Sequence, residues 1–146
     1  MKDTTISKLF LKKASKSPHR KAIGWIEGQD LHFYNNSEYL QKVRTIFFGL
    51  TKLGIQTQDR VAILGQTSKE WHFFDMATLC ARAVVTPIYP TYLAHEVEYI
   101  LNHSETKILI VENESQFQKV LEIQDKLPHL KYIVSIKRNR IVCWVL

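Results

Sequence analysis

Two cysteines, five glycines and four prolines are all that 146 residues hold of the residue types that staple or interrupt a chain. Cys80 and Cys143 stand far apart and form no CxxC pair, which excludes a disulfide framework and a zinc knuckle. Cys80 reads as a small core residue. No apolar run reaches the roughly 18 to 20 residues of a membrane-spanning helix, and the Lys-rich start lacks the apolar stretch of a signal peptide. A cytoplasmic location is expected by default.

The familiar chemical motifs are missing as well. There is no GxGxxG, no GxxxxGKS/T and no GxSxG elbow, and Cys80 has no sequence partner that would activate it. His95-Glu96 begins like HExxH, but Tyr99 holds the second histidine position. The histidines at 19, 32, 72, 95, 103 and 129 provide no close ligand pair, so no metal site is expected. His72 and Asp75, three apart on one helix, could form a local pair, with solvation at the surface the simpler expectation for both. Gly65 to Lys69 reads as a turn and helix start able to meet an anion, with Thr67 as a structural cap being the simpler account. From the residues alone, no catalytic, cofactor-binding or metal-ligating position is assigned.

What is present is apolar and patterned. At 45% hydrophobic and 11% aromatic content the chain suits one domain with a core. The charge is segregated. Residues 1–21 hold seven Lys/Arg against one acid, 22–130 hold nine against thirteen, and 131–146 hold four against none, for net values of +6, −4 and +4. A mildly acidic centre argues against nucleic-acid binding, where basic residues would cluster on the folded core. Attraction of the N-terminal helix to an anionic membrane surface, a peripheral contact, is the better use of that charge.

Asp59 to Glu114 organises the rest. Arg60–Leu64, Ala83–Ile88 and Lys107–Val111 are β-branched runs separated by two segments of helical spacing, a β-α-β-α-β pattern whose strands must run parallel. The unbroken apolar runs at Val61–Leu64 and Ile108–Val111 fit strands covered on both faces. Upstream, Thr5–Ser17 reads as an amphipathic helix, and Lys21–Ile26 with Leu31–Tyr34 reads as a β-hairpin. Asn35 and Glu38 form a capping box for a helix to about Leu53, with Gly54 as its left-handed stop. Thr67 to Glu70 reads as a second capping box, for a helix ending near Arg82. Ala94–His103 and Asn113–Lys126 read as helices and Tyr132–Ile136 as a strand. The fold class is α/β: an incomplete doubly wound parallel sheet with an N-terminal helix and hairpin. The basic, then apolar, run Lys137–Leu146 has no evident packing partner.

The stretches DRVAILGQTSKEW, ARAVVTPIYPT, EVEYILNHSETKILIVENE and QKVLEIQDKLPHLKYIV, with NNSEYLQKV and FFGLTKLGIQTQDR upstream, resemble the N-terminal region of adenylate-forming acyl-CoA synthetases. The likeness is to the long-chain fatty-acid CoA ligase branch and covers nearly the whole chain before Lys137. It implies ATP-dependent activation of a fatty acid to an acyl-adenylate, then thioester formation with coenzyme A, using ATP, Mg and coenzyme A. The phosphate loop ending in Pro-Lys-Gly, the adenine segment, the ribose aspartate and the C-terminal lysine of that family do not occur here. Its catalytic residues therefore map to no position of this chain, and a chain inactive alone is expected. Arg82 stands where the family has a small residue, often glycine. Residues 1–136 are expected to be a partial AMP-binding domain and 137–146 an unmatched tail, from truncation or frameshift. A binding module that self-associates through an open sheet edge is the alternative.

Overall fold

In the computed structural model, which describes residues 4–137 and 140–145, the expected parallel sheet is present with helices on both faces. Helix α1 (Ile6–Lys16) leads into a hairpin of β1 (Lys21–Glu27) and β2 (Asp30–Asn35), then α2 (Asn36–Lys52). The αβ body follows as β3 (Arg60–Leu64), α3 (Lys69–Cys80), β4 (Val84–Ile88), α4 (Ala94–His103), β5 (Ile108–Val111), α5 (Glu114–Leu121) and β6 (Tyr132–Lys137). The last strand is β7 (Arg140–Val145), and the five-stranded sheet runs in the order β4-β3-β5-β6-β7. β3 to β6 are mutually parallel.

Alternation along the strands builds two cores. Val61 and Ile63 of β3, Ile108 and Ile110 of β5 and Val134 of β6 pack with Phe10, Val43, Ile46, Leu50, Phe73 and Phe74 from α1, α2 and α3. Their neighbours Ala62, Leu64, Leu109, Val111 and Ile133 pack with Val97, Leu101, Phe117 and Val120 from α4 and α5. A strand whose two faces are both covered has no polar side to spare, which is why these runs read as continuous hydrophobicity.

Local chemistry sets the element ends. Asn35 accepts from the Glu38 N–H at 2.9 Å and the Glu38 carboxylate accepts from the Asn35 N–H at 2.7 Å, the reciprocal box expected. Gly54, at φ 81°, takes the left-handed position after α2. At α3 the reading needs correction: the cap is Ser68, whose hydroxyl accepts from the Trp71 N–H, not Thr67. Adjacent hydroxyl residues offer the same signature, and the one in extended conformation with its side chain toward the third residue wins. Asn113–Lys126 is also shorter as an α-helix than expected. It ends at Leu121, and Gln124–Lys126 form a separate turn of 3-10 helix. The tail differs most: Arg140–Val145, for which no partner was evident, lies antiparallel to β6.

The amino ends of the strands are laced by charge. The buried Asp59 accepts from Lys107 Nζ at 2.6 Å and from the Gln56 N–H at 2.8 Å. Burial alone would push its carboxyl up, but the Lys107 and Gln56 hydrogen bonds and the charges of Lys107 and Arg60 outweigh that and hold it below its usual value. Arg60 pairs with Glu105 and donates to the Ser104 carbonyl. Gln58, Arg82 and Glu105 all sit at positive φ in the turns entering β3, β4 and β5. Arg82 takes this left-handed geometry at φ 58°, and its carbonyl receives the Gln58 N–H at 2.9 Å.

Candidate functional site

In an open parallel sheet the loops leaving the carboxyl ends of adjacent strands part where their following helices go to opposite faces, and the gap so formed is where ligands bind. Here the loops part on both sides of β3: the helix after β3 joins the core of α1 and α2, whereas the helices after its neighbours β4 and β5 join the other core. Three loops therefore define the site: Gly65 to Ser68, Tyr89 to Leu93, and Glu112 to Asn113.

The first two loops and Trp71 enclose a cavity of about 230 Å³, with Pro87 and Ile88 closing its β4 side. Gly65 is required by proximity. A Cβ there would lie 2.6 Å from Glu112 Cβ, well inside contact. The Glu112 carboxylate then accepts from the Gln66 N–H at 2.8 Å. A side chain of this protein thus already satisfies that turn donor.

Lys69, the cation of the candidate anion turn, lies instead with Nζ 4.5 Å from the Trp25 ring centre on β1 and 3.6 Å from the Glu70 carboxylate. Ser68 caps the helix. The residues singled out by sequence are therefore adjacent in the chain but not convergent on one anion position.

The second loop is held from α5. Lys119 Nζ donates to the carbonyls of Pro90 at 2.8 Å and Tyr92 at 2.7 Å, and Gln116 Nε2 donates to Pro90 at 3.3 Å. Sequence reasoning missed both residues. Their spacing of three on an amphipathic helix was visible, but their targets are 26 to 29 residues away in the chain. Gln116 Oε1 and, at the end of β6, Ser135 Oγ are buried with no hydrogen-bond partner.

His72 and Asp75 on α3 are half-buried rather than fully solvated, and the His72 charge acts on the Asp75 carboxyl. Tyr39 of α2 donates to the His72 carbonyl at 3.2 Å, and burial first, then the Asp75 and Cys80 charges, push its hydroxyl up to about 12. Burial raises the Asp75 carboxyl, partly countered by the His72 charge, and burial also raises the Cys80 thiol. A thiol raised in this way is a poor nucleophile. Among the described residues no three His, Cys, Asp or Glu side chains are placed to share a metal ion.

Comparison with known proteins agrees with this architecture. The chain is 35% identical over 133 residues to the long-chain-fatty-acid–CoA ligase ACSBG2 of Xenopus laevis, covering 91% of this chain and 18% of that protein. It is 36% identical over 100 residues to the long-chain-fatty-acid–CoA ligase FadD15 of Mycobacterium bovis, covering 68% and 17%. The chain thus spans under a fifth of the length of these relatives. Among solved structures, the inhibitor-bound N-terminal domain of FACL13 from Mycobacterium tuberculosis superposes with a TM-score of 0.82 at 23% identity, over 92% of this chain and 34% of that one. A fatty acyl CoA synthetase from the same organism gives 0.81 at 24% identity, over 90% and 26%. At these identities the solved structures speak for the fold. The AMP-binding enzyme family matches residues 10–144, nearly the whole length, and the chain belongs to that family.

Proposed function

We propose that this chain is the scaffold part of a long-chain fatty-acid CoA ligase: it positions other segments of such an enzyme and supplies none of the reacting groups. The observation that carries this reading is the carboxyl end of the sheet. In a ligase that forms an acyl-adenylate, the transferring adenylyl group needs donors aimed at its developing charge. Here the turn after β3 donates to Glu112, Lys69 lies over Trp25, and Lys119 is committed to two loop carbonyls. These residues do not fit a nucleotide triphosphate or its Mg ion, so no step through either is assigned to them. ATP, Mg, coenzyme A and the fatty acid belong, in this proposal, to the parent reaction.

Self-association through an open edge has less support. β4 is an edge strand, and Pro87 in its middle lacks the N–H that a further strand would need.

Two measurements test the scaffold reading. The purified chain, given fatty acid, ATP, Mg and coenzyme A, is expected to form no thioester and to catalyse no ATP–pyrophosphate exchange; either activity overturns it. A chimera in which residues 4–136 replace the matching segment of frog ACSBG2 is expected to keep ligase activity. A folded chimera without activity would show that this segment does more than hold others in place.

A further inference from the structure

The parallel sheet separates two helical layers of opposite charge. On one side α1, α2 and α3 hold eight Lys/Arg against three Asp/Glu, and on the other α4 with residues 114–126 holds five Asp/Glu against two Lys, net +5 and −3. The contrast at the surface is sharper than the count. Lys119 turns inward to the carbonyls of Pro90 and Tyr92, leaving Lys126, beside Glu98, to face solvent in the acidic layer. Glu122 and Asp125 are exposed there, as Lys8, Lys12, Lys16 and Arg44 are on the basic side.

Each layer also leaves large apolar side chains uncovered: Ile6 at 63% and Leu9 at 54% on the basic side, Tyr99 at 67% and Leu93 at 61% on the acidic side. Apolar groups ringed by charge are the composition of a protein interface, and here the two rings differ in sign.

We propose that copies of this chain associate head to tail, the α1–α2 face of one copy lying on the α4–α5 face of the next. A second copy is the occupant because it supplies the complement of each face at once. A polyanion would engage the basic side alone and leave Tyr99, Leu93 and the acidic ring without a use. The two patches lie on opposite sides of one sheet, so a copy bound through one still presents the other. Association therefore continues past a dimer instead of closing on a two-fold axis. The contact uses helical faces, so the edge strand β4 and its Pro87 play no part in it. It goes beyond the scaffold reading and does not depend on it.

Sedimentation velocity of the full chain over a range of concentrations tests it. The average mass is expected to rise past that of a dimer at about 0.1 M salt and to fall toward the monomer at about 1 M, where the screening length shrinks from about 10 Å to about 3 Å. Lys8→Glu/Lys12→Glu and, separately, Glu122→Lys/Asp125→Lys are each expected to weaken association about tenfold, with circular-dichroism spectra and melting curves like the parent's. Mixing the two variants is expected to restore association, because the acidic faces of the first meet basic faces on the second. Restoration is a result that variants merely damaged in folding cannot give. A chain monomeric at low salt, a plateau at the dimer or an association indifferent to salt overturns the proposal. So does a loss confined to one variant, or a mixture no more associated than its parts.

Discussion

The two ends of the parallel sheet are held together by different means. At the amino end, charged side chains join neighbouring turns directly: Asp59 to Lys107, Arg60 to Glu105, with left-handed Gln58, Arg82 and Glu105 tolerated among them. At the carboxyl end, side chains from α5 and from the end of β5 reach loop backbone. Glu112 takes the Gln66 N–H, and Lys119 and Gln116 hold the Pro90 to Tyr92 loop. The second arrangement borders a cavity, and each end keeps buried oxygens without a partner: Thr78 Oγ1 at the end of α3 for the first, Gln116 Oε1 and Ser135 Oγ for the second. One end is built to fix the order of strands. The other fixes loops around a cavity.

The sharpest test of this contrast is Gly65→Val. With 2.6 Å to Glu112 Cβ even an alanine overlaps, so the larger side chain is expected to cost about 2–3 kcal/mol, read as a lowered urea midpoint. A neutral result would mean that the carboxyl end is slack. Next, Asp59→Ala is expected to cost about 1.5 kcal/mol at neutral pH. Because the folded-state pKa of Asp59 is lowered, its contribution is present above the unfolded value and is lost as pH falls through the folded one. The variant and parent melting curves should therefore converge in acid.

Lys119→Met keeps the stem and removes two donations, and is expected to cost about 1 kcal/mol. Faster amide exchange confined to residues 91–93 would place that loss at the carboxyl end. The smallest effect has the opposite sign. Arg82→Gly relieves a left-handed non-glycine residue at φ 58° and loses some unfolded-chain restraint, for a net gain of about 0.5 kcal/mol by thermal melting. A loss instead would show that the Arg82 side chain contributes to the amino end.

The local elements were legible in the chain. The capping box at Asn35, the Gly54 stop, α4 at Ala94–His103 and the three parallel strands follow from short-range rules that the structure obeys. The contacts that lace either end of the sheet were not, because they are long in sequence: Glu112 with Gln66 is 46 residues apart and Arg60 with Glu105 is 45, and nothing local distinguishes such a glutamate from a solvated one. The α5 boundary was misread since a 3-10 turn continues the apolar spacing of Phe117, Val120 and Ile123 after the α-helical bonds have ended. The strand at Arg140–Val145 was missed because an apolar run at a chain end shows a partner only once β6 has been placed beside it.

The strand order also fixes a timetable. β3 is an interior strand, yet it is made before either neighbour: its first partner, β4, ends at Ile88, and its second, β5, at Val111. A chain emerging from the ribosome can fold α1, the hairpin and α2 early, but must carry the apolar run Val61–Leu64 unpaired until the loop of α3 and β4 is complete. It then needs α4 and β5 to cover the second face. Non-local pairing of this kind is slow and leaves hydrophobic surface exposed in the interval. Val61–Leu64 is thus the apolar segment of the sheet that waits longest for both of its neighbours.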